Sequence, residues 1–405
     1  MEYDSTEKFP VRYDVHKYLG RKQWHVVSSI IKKYTSPEDI VLDLFSGSGV
    51  GAFEALRLKR KVIAVDYSQL SEVIVRSLCE GCDIQSYHKN ATTIITSLRK
   101  LESVYSVKFA NHAGIIKYWM PNLHRGKVML RDKTSYTGDL TDVKFVSGAV
   151  PDTFVWSHAE DKIPFIEGSN VSRWSEIFTE RTQYILHSAF SSIMKVNDLA
   201  VRRCLLVAFS ASLEKASLLN KLKSNGKGWI REDPLCYYKP FDFIEFNAVD
   251  SLENKLMKME ASLIETEKLL SGGLRRNFVF MRQDAAKLAY SEKVDLILMD
   301  PPYLSEVLYD KLEALHDVWL GFKPSEQNIK TSFEEVVLRA HAALHRNGTL
   351  VLLMSNYLPG SKEFFIDTLI KGGFVQISET KQERGKKEGL LITTFKKSAS
   401  SLRPK

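Results

Sequence analysis

The most constraining feature of this chain is a short apolar run, Ile40–Phe45 (IVLDLF), that ends in the glycine turn Ser46-Gly47-Ser48-Gly49. A helical pattern follows through Leu56, then a second apolar run, Lys61–Asp66 (KVIAVD), and another helical stretch, Ser68–Cys79. A strand buried on both faces reads as a near-continuous apolar run, and its parallel neighbour is reached only by a crossover, usually a helix. The pattern therefore predicts the start of a doubly wound, mostly parallel α/β sheet. The same style returns near the C-terminus. Asn277–Arg282 and Val294–Met299 read as strands, Ser332–Leu344 as a helix, and Asn347-Gly348 as a turn before the strand Thr349–Met354. Phe364–Gly372 reads as a helix and Gly389–Phe395 as the last strand.

Between these halves the chain changes character. Residues 105–170 are rich in aromatic and basic residues and short β-like runs, and 173–222 predict two helices around Asn197-Asp198. Leu252, Leu256, Met259, Leu263 and Leu270 keep close to a helical spacing, as on an amphipathic helix packed against a neighbour. The expected organisation is one sheet interrupted by a large, partly helical insertion. Residues 1–98 and 275–396 form the two halves of the sheet domain, 99–274 the insertion and 397–405 a flexible basic tail.

Two places carry chemistry. A tight turn at the carboxyl end of a first parallel strand needs glycines, Gly47 and Gly49, so that backbone can approach a ligand. Such a loop also serves dinucleotides, but here Ala52 stands where the third glycine of G-x-G-x-x-G would be. Asp43 inside the strand end suits the cationic amino group of a methionine moiety better than a pyrophosphate. Asp66, ending the second strand, is placed for the two ribose hydroxyls of either kind of cofactor. The second place is Asp300-Pro301-Pro302-Tyr303, directly after VDLILM. Two prolines fix the backbone and remove donors, so that a carbonyl can face a pocket. Asp300 and the Pro301 carbonyl are then acceptors for an amine, and Tyr303 offers a face on which a flipped-out base can stack.

A composition of 44% apolar and 26% charged residues allows a sizeable core and argues against wholesale disorder. The formal charge of +8 leans toward a polyanionic partner without deciding it. No apolar run is long enough to span a bilayer, and the first residues lack a secretory h-region, so a cytoplasmic location is expected. The four cysteines, Cys79, Cys82, Cys204 and Cys236, read as thiols. Cys79 and Cys82 have ligand spacing, but no second tight pair completes a zinc site, and no metal is expected.

DLFSGSG and DPPY together resemble the cofactor and catalytic motifs of amino-methylating DNA methyltransferases, in which DPPY is typical of adenine-N6 enzymes. Val15–Ile31 is similar to the segment that closes over the cofactor there. Trp174–Asn220 and Tyr303–Trp319 resemble stretches of bacterial adenine-specific methylases that carry a zinc ribbon. More than half of the chain is covered by such likeness; the region 100–170 is not. The resemblance implies S-adenosylmethionine as cofactor and double-stranded DNA as partner, with a companion restriction endonuclease conceivable. It implies a class I methyltransferase fold, with Phe45 against the adenosyl group and Asp284 against the adenine amine, though Asp284 equally reads as a helix N-cap. Lys17, Arg21 and Lys22 read either as contacts to the cofactor carboxylate or DNA phosphates or as a solvated basic face. His124–Lys133 and Gly272–Arg276 are candidate phosphate contacts. Two alternatives stay open: an RNA base-amine methyltransferase acting on guanine N2 or adenine N6, and a non-catalytic DNA-binding relative.

Overall fold

Seven strands pair into one sheet. In chain order they are β1 (Ile40–Asp43), β2 (Lys61–Asp66), β3 (Phe278–Arg282), β4 (Val294–Met299), β5 (Leu344–Ser355), β6 (Phe374–Arg384) and β7 (Lys387–Lys397). The structure is a computed structural model. It describes residues 9–18, 21–109, 112–121, 126–140, 143–145, 150, 162–224, 228–231, 233, 235–290, 292–302, 309–322, 329–355, 360–384 and 387–398. The strand order is β3-β2-β1-β4-β5-β7-β6. All neighbours from β3 to β5 are parallel, and only β7 runs against β5 and β6. This is the doubly wound, mostly parallel α/β sheet expected. It departs from the six-strand dinucleotide order by the reversed strand near one edge.

Alternation along the strands builds two cores, one on each face. Val41, Val62, Ala64, Leu296 and Leu298 face the helices Trp24–Tyr34 and Val50–Arg57. Leu42, Ile63, Val65 and Ile297 face the helices Ile329–Ala343 and Ser361–Lys371. Burial on both faces explains why these strands read as unbroken apolar runs.

At the C-terminal end one expectation is corrected and one strand is added. Asn347-Gly348 is not a turn ahead of a strand; β5 runs unbroken from Leu344, with a register irregularity where Val294 pairs with Leu344 and Leu296 with Thr349. Gly348 lets the chains close there, since a Cβ would lie 3.0 Å from the Asp295 carbonyl oxygen and 2.6 Å from Leu344 Cδ1. The added strand is β6, which the apolar pattern does not announce. It is an edge strand, and Val375 through Lys381 are all exposed, so burial imposes no apolar run on it.

By contacts the chain divides into two compact units. The sheet unit comprises 1–81, 262–309 and 325–405, and the second unit comprises 82–261 and 310–324. These breaks lie at 81/82 and 261/262, compared with the 98/99 and 274/275 expected, and the helix Tyr309–Leu320 falls almost wholly in the second unit. That unit contains the helices Ile84–Arg99, Glu180–Met194 and Leu199–Ala216, and the strand His112–Met120 pairs there with Ser106–Phe109, Gly126–Leu130 and Glu245–Phe246. Asp198 caps the third helix by accepting from the N–H groups of Ala200 and Val201. Trp319 packs edge-on against Phe178 and Phe209, with centroids 5.6 and 6.0 Å apart, and so seats the segment that follows the Pro-Pro motif in this unit's core. Helix Ala248–Leu269 buries Leu252, Leu256, Met259 and Leu263, as the spacing predicts. Among the described residues no helix is long and apolar enough to cross a membrane.

Candidate active site at the carboxyl ends of the strands

Parallel strands end together, so acids that end neighbouring strands gather along one edge. Asp43 ends β1 and Asp66 ends β2, Asp284 follows β3, and Asp300 follows β4. The order reverses between β1 and β4, the switch point where open α/β sheets bind ligands. Leu44 N–H donates to the Leu298 carbonyl at 3.1 Å and holds these two strand ends together.

The glycine loop is pinned from three sides. Gly47 and Gly49 have φ of +50° and +77°, values that side chains resist. Gly47 N–H donates to Asp66 Oδ2 at 2.7 Å, Ser71 Oγ donates to the Gly47 carbonyl at 2.8 Å, and Gly49 N–H donates to the Ser46 carbonyl at 2.8 Å. The Tyr18 ring lies over Gly47, where a Cβ would stand 3.1 Å from Cε1. The loop leads directly into the helix Val50–Arg57, whose first N–H groups favour an anionic or polar ligand.

Asp43 is fully buried. Ser46 Oγ reaches its Oδ2 at 3.4 Å, whereas Oδ1 has no hydrogen-bond partner among the described residues. Burial raises its pKa to about 6; Lys22 pulls it down, and Asp66 and Asp300 push it up. Such an acceptor fits a cationic group brought in by a ligand. Asp66 is raised by burial too, but the N–H groups of Gly47 and Ser68, the Ser71 hydroxyl and Lys22 offset this.

Asp300 pairs with Lys22, Nζ to Oδ2 at 3.0 Å, and Nζ lies 3.4 Å from the Phe45 carbonyl oxygen. Both side chains are mostly covered, 13% and 10% exposed. Lys22 is therefore no part of a solvated basic face. Arg21 is committed as well: it donates to the Tyr13 carbonyl and lies 3.7 Å above the Phe9 ring. Pro301 is buried and Pro302 half-buried, while Tyr303 lies outside the described residues. Phe45 is half-buried and packs partly against the core. Asp284 caps a short turn, accepting from Ala286 N–H at 2.9 Å, and its neighbour Gln283 donates to the Asp66 carbonyl.

Gly51 is a contributor that motif reading missed, and Lys22, read from sequence as a contact to cofactor, phosphate or solvent, pairs with Asp300. A Cβ on Gly51 would lie 2.2 Å from Asp43 Oδ2, so only glycine leaves room for the buried carboxylate. The phosphate candidates fare differently. Arg131 pairs with Glu102 and Asp250, and Arg275 with Glu267 and the Cys79 carbonyl, so these two serve the fold. His124 lies outside the described residues. Among the described residues no group of three or more His, Cys, Asp or Glu is arranged to hold a metal.

Residues 7–76 match a family model described as N6/N4 DNA methylase. No curated protein matches the chain. Among solved structures, the chain is similar to the glycopeptide N-methyltransferase MtfA, at 7% identity over 93% of this chain and 91% of that one, with a TM-score of 0.32. It is also similar to the N-methyltransferase NodS from Bradyrhizobium japonicum, at 14% identity over 33% and 68% of the two chains, with a TM-score of 0.22. A third is 1,6-didemethyltoxoflavin-N1-methyltransferase from Burkholderia thailandensis, at 14% identity over 31% and 52%, with a TM-score of 0.21. The methylase match spans the segment that holds Tyr18, Lys22, Asp43, Gly47, Gly49, Gly51 and Asp66.

Proposed function

We propose that this protein is a class I S-adenosylmethionine-dependent methyltransferase that methylates the exocyclic amine of a base in DNA, N6 of adenine. The observation that carries the reading is the pairing, at one switch point, of a buried under-bonded acid, Asp43, with the acid of an Asp-Pro-Pro-Tyr motif, Asp300. The methylase match over residues 7–76 supports the same reading.

The residues present fit the cofactor. Asp43 Oδ1 would take its ammonium group, the Gly47–Gly49 backbone would lie against it, and Asp66 and Asp284 would face its ribose and adenine ends. When bound, S-adenosylmethionine supplies a methyl group activated on a sulfonium. Asp66 Oδ2 already accepts from Gly47, so one carboxylate both shapes the loop and offers its remaining lone pairs to a hydroxyl. On the amine side, Asp300 and the Pro301 carbonyl accept the N–H bonds of the base and turn its lone pair toward the methyl group. They also stabilise positive charge as it builds on nitrogen. With the cofactor bound, the base nitrogen would take the methyl as the methyl–sulfur bond breaks, S-adenosylhomocysteine would be the leaving group, and the surplus amino proton would pass to solvent. Alignment of donor and acceptor supplies much of the rate, and Tyr303 stacks the extruded base. The second unit, with its aromatic and basic strands, carries target recognition.

The test is incubation with labelled methyl donor and either duplex DNA or RNA, followed by identification of the modified base. N6-methyladenine in DNA is expected; label only in RNA would replace DNA by RNA in the reading, and label in neither would leave a binding protein. Asp300→Ala should lower transfer by about 1,000-fold or more with donor affinity nearly unchanged, by analogy with loss of a preorganised polar contact. Near-normal turnover in that variant would remove Asp300 from the chemistry.

A further inference from the structure

Lys22 is a mostly buried ammonium set among three acids from three different strand ends. Asp300 holds it at 3.0 Å, and Asp43 and Asp66 act on it by charge. Burial works against its charge, yet the three carboxylates more than offset this and raise its pKa above the ordinary value. Its place is set by what surrounds it in sequence. Tyr13 donates to Glu54 at 2.8 Å, Arg12 pairs with both Glu54 and Glu265, and Arg21 is tied to the Tyr13 carbonyl. Glu54 is fully buried in the helix that follows the glycine loop, so the N-terminal segment is fastened to the cofactor side of the sheet. An ion pair taken out of water is a poor source of stability. A covered ion pair at a ligand crevice is instead a candidate for serving the site.

We propose that Lys22 is a positioning residue: the shared counter-ion that joins Asp43, on the cofactor side, to Asp300, on the amine side, and fixes the Asp300 carboxylate for the incoming amine. This rests on the amine-methylation reading above. It differs from a role as cofactor or phosphate ligand, because the ammonium is directed at the protein's own carboxylates. The ion pair restrains the Asp300 carboxylate, so that its acceptor geometry is biased before substrate arrives. Without the ammonium, Asp43, Asp66 and Asp300 would repel one another, and the buried Asp43 would take up a proton at higher pH.

The experiment compares full-length wild type, Lys22→Met and Lys22→Arg by two readouts. One is calorimetric binding of S-adenosylhomocysteine from pH 5 to 9; the other is single-turnover methyl transfer to duplex DNA. At pH 8, Lys22→Met should bind the probe within about threefold of wild type while transfer falls by about 100-fold, the size expected for losing one preorganised electrostatic contact. Its acid limb for binding should move up by about one pH unit as Asp43 loses its counter-ion. Lys22→Arg should recover about tenfold of the lost transfer, since it keeps the charge but not the shape. Loss of binding and transfer in equal proportion would make Lys22 a cofactor ligand and overturn the proposal, as would transfer within threefold of wild type. Should Lys22→Met not fold, Lys22→Gln carries both readouts. If wild type methylates no DNA, the amine-methylation reading falls by itself. The acid limb then decides for Lys22: a shift of about one unit keeps the shared counter-ion, and no shift removes it.

Discussion

The same sheet edge carries two pairs of acids treated in opposite ways. On the β2/β3 side, Asp66 accepts from the N–H groups of Gly47 and Ser68, and Asp284 accepts from Ala286. These carboxylates fold the loops beside them. On the β1/β4 side, Asp43 is fully buried with one oxygen that has no hydrogen-bond partner among the described residues, and Asp300 pairs with a lysine brought in from the N-terminal segment. The first pair serves local structure, since the loop N–H groups that it accepts from answer part of the cost of burying Asp66. In the second pair the buried Asp43 burdens the fold, and such a burden persists where a ligand relieves it.

The comparison breaks most clearly at Asp43. Its pKa in the fold, about 6, lies above its ordinary 3.8, so its contribution to stability is present below the ordinary value and is lost as pH rises through about 6. That amounts to about 3 kcal/mol of destabilisation at pH 8. Asp43→Asn should therefore resist urea better than wild type at pH 8, and the advantage should vanish near pH 4. The same change should weaken binding of S-adenosylhomocysteine by about 100-fold, the scale of a charge-assisted contact in a buried site. A variant no more stable at pH 8 than wild type would show that Asp43 is satisfied in the free protein, and the contrast between the two sides would disappear.

Gly51→Ala tests the same carboxylate through its neighbour. The added methyl overlaps Asp43 Oδ2, so the side chain or the helix start must shift, at a cost of about 1–3 kcal/mol. Thermal unfolding reads that cost, and binding of the probe should weaken with it. Unchanged stability and binding would mean that the loop yields without moving Asp43. The smallest effect belongs to the other side. Asp284→Ala removes an N-cap and should cost about 1 kcal/mol in urea unfolding. If probe binding stays within threefold, Asp284 is a cap alone; a larger loss would place it against the ligand as well and blur the division between the two pairs.

Much of this was legible along the chain, and the reasons are local. β1, β2 and β4 are buried on both faces and so announce themselves as apolar runs. Asp198 sits where an N-cap must sit between two helices, and Leu252 to Leu263 repeat at helical spacing because one face is buried. β6 was not legible, because an exposed edge strand needs no apolar pattern. Nor was the true start of β5, because a register shift carries Asn347-Gly348 through a strand where a turn would otherwise be read.

For the site, sequence alone determined which residues can do chemistry: the glycines that accept positive φ, the acids that end strands, and the prolines after β4. Each follows from covalent structure and local backbone geometry. Only the tertiary structure decided which acids are spent on their own loops and which are held in reserve. It also decided that Lys22, one of the basic residues Lys17, Arg21 and Lys22, leaves solvent to pair with Asp300. Burial and distance between residues far apart in the chain set those differences, and neither quantity is written in the spacing of residues along it.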